Sequence, residues 1–203
     1  MKPRAARACL AVFALCLFDA TQARADFVDW NYSWSPSAPV ISADNPSMGQ
    51  IKVLPETAGS ANGYSSIVAA NLQTISNADP KNPAVFTNTP YGLTLSIADG
   101  PSGKTGTLTF GGEMSGVLSS ANALVSNKFT GAVLQSMQIG DNVYTVNLSA
   151  FAPPGPPTSN VLGSIGALVG VTPAEAPEPS TLALAGLGLS LLGMRWWRRK
   201  VTR

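Results

Sequence analysis

The sequence predicts an all-β protein: a single antiparallel β-sandwich, jelly-roll or Ig-like, followed by one C-terminal transmembrane helix. Three observations carry this. Short runs of alternating apolar and polar residues recur through the middle of the 203-residue chain. Gly, Pro, Ser, Thr and Asn punctuate them every few residues, with no sustained helical period between Asp26 and Glu175. Strands spaced in this way, without helices between them, favour a sandwich or barrel. The last observation is a largely apolar run close to the C-terminus, Leu182 to Met194.

The strands follow in order. Phe27 to Trp34 puts Val28, Trp30, Tyr32 and Trp34 on one face, and Gln50 to Leu54 is a second short run. Ser66 to Ile75 is mixed, with two sets of residues competing for the inner face. Tyr91 to Ile97, the turn residues Asp99-Gly100-Pro101-Ser102-Gly103, then Thr105 to Phe110 read as a β-hairpin. Val133 to Ile139, the turn Gly140-Asp141-Asn142 and Val143 to Phe151 repeat that pattern. Glu113 to Leu118 and Gly163 to Val171 supply further strands. Pro153-Pro154-Gly155-Pro156-Pro157 cannot enter a ladder and reads as an extended surface connector.

Both ends of the chain read as targeting segments. Lys2, Arg4 and Arg7 precede an apolar stretch, Ala8 to Phe18, and Ala23-Arg24-Ala25 supplies small residues for signal peptidase. Residues 1–25 are therefore expected to be a cleaved Sec signal, with cleavage between Ala25 and Asp26. The sandwich is assigned to 26–172 and a linker to 173–180. A helix from Leu182 to Trp197 would be about 24 Å long at about 1.5 Å per residue, slightly short of a hydrocarbon core of about 30 Å. The spanning segment is placed at 181–197 and a basic cytoplasmic tail at 198–203. Trp196 and Trp197 suit the membrane interface, and Arg195, Arg198, Arg199 and Lys200 suit the cytoplasmic headgroups.

Pro177-Glu178-Pro179-Ser180, the apolar run and the terminal Arg-rich cluster, in that order, resemble the PEP-CTERM sorting signal of Gram-negative bacteria. The resemblance spans Pro177 to Arg203. It implies recognition and removal of the tail by a membrane-embedded exosortase, and an exopolysaccharide or biofilm setting. The expected partners are the Sec machinery, signal peptidase, exosortase, membrane lipid through the tail, and exopolysaccharide. The expected route is an inner-membrane-anchored intermediate, then the cell surface or exterior. An uncut tail would instead leave a permanently anchored single-pass protein.

Charge and chemistry narrow the role of the body. Between Asp26 and Ser180 four lysines face ten carboxylates, a net of −6, so the overall +2 comes from the targeting ends. Without a basic patch in the body, nucleic-acid binding is rejected. Both cysteines, Cys9 and Cys16, lie in the signal segment, and the chain has no histidine. That removes Ser-His-Asp and Cys-His catalysis, thiolate or imidazole metal sites and disulfides. Paired carboxylates remain open for glycoside chemistry, with Glu113 the candidate, although a solvent-facing role is expected. Asp44-Asn45, Asp79, Asp99 and Asp141-Asn142 lack a calcium-loop pattern and read as turn residues. No cofactor, metal or catalytic residue is assigned, and the expectation is a non-enzyme. Trp30, Tyr32 and Trp34 form one aromatic stripe. Exposed, it would stack on sugar rings as in a carbohydrate-binding or adhesive module; turned inward, it is core.

Overall fold

The computed structural model describes residues 27–174. Over that span the chain is all-β, in two antiparallel sheets. The first holds five strands in the order β4 (Gly59–Asn62), β1 (Asp29–Pro36), β6 (Ala84–Asp99), β7 (Thr105–Leu118), β8 (Ala123–Thr130). The second holds six: β2 (Val40–Ser42), β3 (Gly49–Pro55), β5 (Ser65–Ser76), β11 (Gly163–Pro173), β10 (Asn142–Ala152), β9 (Leu134–Ile139).

Period-two alternation decides which residues meet between the sheets. In β6, Tyr91, Leu93, Leu95, Ile97 and Asp99 are buried, while the residues between them are half-exposed. Trp30 and Trp34 point inward from β1, and Phe110 and Met114 from β7. Facing them are Ile51 and Val53 of β3, Leu72 of β5, Tyr144, Val146 and Leu148 of β10, and Ile165 and Val169 of β11. Large aliphatic and aromatic groups on both inner faces supply the apolar area that holds a body without disulfides.

At one end a polar contact joins the sheets. Asp99, 1% exposed at the end of β6, accepts hydrogen bonds from Asn142 Nδ2 at 2.7 Å and Tyr144 Oη at 2.6 Å, both from β10. Its other oxygen accepts the Ser102 backbone N–H at 2.8 Å, closing the β6–β7 turn. Burial raises the Asp99 pKa, but the hydrogen bonds from Ser102, Tyr144 and Asn142 outweigh it and bring the group below its ordinary value. Burial and then the Asp99 charge push Tyr144 upward.

Several expectations need correction. Glu113 to Leu118 is no separate strand: β7 runs unbroken through Gly111-Gly112, paired with β6 from Thr105 to Leu118 apart from one bulge. Gly112 lies opposite Tyr91, whose ring occupies the space a Cβ would need, and Gly111 leaves room for the Thr130 hydroxyl of β8, so the two glycines accommodate neighbouring strands instead of ending β7. The proline connector is not simply a surface loop. Pro154 is buried, Thr74 Oγ1 of β5 donates to the Gly155 carbonyl at 2.6 Å, and Pro157–Ser159 form a short 3-10 turn. No helix among the described residues is long and apolar enough to cross a membrane. The transmembrane helix expected at 181–197 lies outside the described residues, as do the signal segment and the basic tail.

Leu95, fully buried in mid-β6, should behave as a core residue. Leu95→Ala is expected to lower unfolding free energy by about 2–5 kcal/mol in urea titrations; a loss well below about 1 kcal/mol would contradict its inward placement. The low pKa of Asp99 means that its contribution is complete above the unfolded-state value of about 3.9 and is lost as pH falls through the folded value. Asp99→Asn should therefore cost about 1–3 kcal/mol at neutral pH and make stability less steep in acid. An acid limb as steep as that of the parent would count against the clasp.

Candidate functional site

The outer face of the first sheet is built mainly from small hydroxyl residues. Strand register aligns Ser33 of β1, Ser96 of β6 and Thr107 of β7 in one row, and Ser35, Thr94 and Thr109 in the next. Ser60, Asn31, Ala98 and Thr105 make a third row across β4, β1, β6 and β7. Neighbouring positions in a row are about 4.8 Å apart, and alternate positions along a strand about 6.8 Å. Thr94 Oγ1 and Thr109 Oγ1 share a hydrogen bond of 3.3 Å.

A groove of about 530 Å³ opens at the β1 side of this face. Asn31, Ser33 and Ser96 line it from the sheet, and Thr57 and Ser60 from the segment that leads into β4. The Trp34 backbone N–H donates to the Glu56 carbonyl at 2.7 Å and holds that segment beside β1. Tyr32 borders the groove between Asn31 and Ser33, with its ring on the other face of β1 beside Trp30. Pairing of β1 with β4 begins at Tyr32 and Gly59, and the tyrosine ring lies where a Gly59 Cβ would stand. Tyr32 is half-buried, 5.4 Å from Trp30 between ring centroids. Burial, then the nearby Glu56 charge, raises its pKa. None of the nine lining residues is charged.

The aromatic stripe is thus divided. Trp30 and Trp34 are 1% and 2% exposed and belong to the core, Trp34 against Phe110 and Trp30 edge-on to Tyr144. Sugar stacking needs an accessible ring face, which neither indole offers, and the Tyr32 ring lies on the same face of β1 as theirs, away from the groove. The other candidates have local roles. Glu113 sits on the outer face, in register with Lys128. Asp44 accepts from Thr87 N and Oγ1 at 3.1 and 2.7 Å, and Asp79 from Lys81 N at 2.8 Å. Asp141 is exposed, while Asn142 serves Asp99. Among the described residues no three acidic, His or Cys side chains group as metal ligands. Ala23, Ala25, Asp26, Pro177 to Ser180 and Arg195 to Lys200 lie outside the described residues.

The sequence reading missed the groove because its walls come from β1, β4 and β6, and β4 is too short and too small in its side chains to be recognised. The Ser-x-Ser and Thr-x-Thr spacing of β1 and β7 was the available signal.

Comparison with protein families places a PEP-CTERM protein-sorting motif at residues 175–200. No curated protein and no solved structure matches the chain.

Gly59→Ala tests the close packing of the Tyr32 ring over the start of β4. Displacing the Tyr32 ring is expected to cost about 1–3 kcal/mol and to change the near-ultraviolet aromatic circular dichroism. An unaltered spectrum with unchanged stability would show that the ring does not lie there.

Proposed function

We propose that the chain is a non-catalytic surface or extracellular-matrix protein, associated with exopolysaccharide in a biofilm. The sorting motif at residues 175–200 carries this reading, since it supports an exported protein that an exosortase processes and that ends at the cell surface or outside the cell. In the proposed sequence of events, Sec and signal peptidase deliver the chain and remove residues 1–25. A helix at 181–197 then holds it in the inner membrane, with Trp196 and Trp197 at the interface and Arg195, Arg198, Arg199 and Lys200 on the cytoplasmic side. The exosortase acts near Pro177-Glu178-Pro179-Ser180 and releases the body. A non-enzymatic role is supported by the chain's lack of histidine, by the confinement of its cysteines to residues 1–25, and by the structural duties of its buried or bonded aspartates.

A carbohydrate-binding or adhesive module is the second reading, and the uncharged groove over the outer face of β1 favours it.

Fractionation of the native host, with and without residues 177–203, tests the first reading. Deletion should misplace the protein while the body stays folded; an unchanged location would refute sorting by this segment. Mass spectrometry of the surface protein should find a C-terminus upstream of the apolar run. A protein still ending at Arg203 would instead be a permanently anchored single-pass protein.

A further inference from the structure

We infer that the groove over β1 and the adjoining hydroxyl rows of the first sheet form a binding face for an uncharged polysaccharide. This deepens the carbohydrate-binding reading above and gives it a site and a ligand class. Two observations converge. The groove has no charged residue in its lining, and the rows Ser33–Ser96–Thr107 and Ser35–Thr94–Thr109 continue it across β6 to β7. Each hydroxyl both donates and accepts, so a regular grid of them matches a polymer whose own hydroxyls do the same. An apolar ligand would strip water from these groups without replacing the bonds, at about 1–3 kcal/mol each.

Charge excludes the acidic polymers. The body from Asp26 to Ser180 has a net charge of −6, and no lysine lines the groove, so a polyanion meets repulsion without a partner. The cations of this sheet's outer face are reduced to Lys128, which lies in register with Glu113 at the far side of β7. The ligand would therefore lie across the strands, one end in the groove over β1 and the rest on the Ser/Thr rows.

Affinity electrophoresis of the full chain in mild detergent tests this, in native gels holding a mixed-linkage β-glucan, a galactomannan, dextran or alginate. At least one of the three uncharged polymers should retard the protein, and alginate should not. Ser96→Lys, in the groove floor, and Asn31→Lys, at its exposed rim, should each weaken retardation about tenfold or more. Thr145→Lys, on the outer face of the second sheet, should leave it unchanged. If Ser96→Lys lowers the melting temperature, Asn31→Lys decides the question alone. Retardation by none of the uncharged polymers, retardation by alginate only, or binding that survives these lysines would overturn the assignment. Because export plays no part in the gel, any of these results leaves the sorting reading standing.

Discussion

Tyr144 joins the two sheets twice, and the rest of the body depends on that junction. Its ring meets Trp30 edge-on, with centroids 6.2 Å apart, and its hydroxyl donates to Asp99. One contact is apolar and tolerant of small shifts; the other is directional and confined to a few tenths of an ångström. Burying a carboxylate is expensive unless its oxygens are satisfied. Asp99 obtains that satisfaction only when β10 lies opposite the end of β6, because Asn142 and Tyr144 are both on β10. The apolar surfaces supply the stabilisation, and the carboxylate selects one alignment of the sheets among those that would bury similar area.

The long strands were legible because their alternation is strong. Tyr91 to Ile97 and Val143 to Phe151 read correctly, since bulky apolar residues occupy every second position. What escaped has a physical cause in each instance. Strand β4, Gly59–Asn62, contains no large apolar residue, and its pairing with β1 is organised by Tyr32 of the partner strand. Strand β8 exposes Leu124 while burying Val125, so adjacent apolar residues hide the period. The first half of β6, from Ala84 to Pro90, contains a bulge between Phe86 and Thr89, with Asn88 at a φ of 50°, which breaks the count. Gly111-Gly112 interrupts the alternation within β7, and the reason, the Tyr91 ring of the neighbouring strand over Gly112, is not contained in the local sequence.

The same limit applied to the site. Trp30 and Trp34 were visible as a stripe, but whether a stripe faces water or core depends on which sheet covers it. The second sheet covers it, through Tyr144 and its neighbours. Tyr32 shares their face of β1 yet differs, since it lies at the lip of the sheet where Gly59 leaves room for its ring. Serines and threonines on β1, β6 and β7 were read only as polar alternation. Their alignment into rows is a property of strand register, which the order of residues along one strand does not contain.

Titration ties the clasp to the life of an exported body. Among the described residues, the groups whose pKa values are clearly moved lie on opposite sides of neutrality: Asp99 is lowered, whereas Tyr32, Tyr91 and Tyr144 are raised. Histidine, the side chain that ordinarily changes charge between about pH 5 and 8, is absent from the chain. Stability varies with pH only where folded and unfolded forms bind different numbers of protons. These four groups therefore hold the same charge in both forms throughout the neutral range. A cell encloses its cytoplasm at a regulated pH, but it does not regulate the medium outside. A sandwich that draws its specificity from a deep aspartate and its cohesion from apolar area meets that medium with its inter-sheet clasp unaltered.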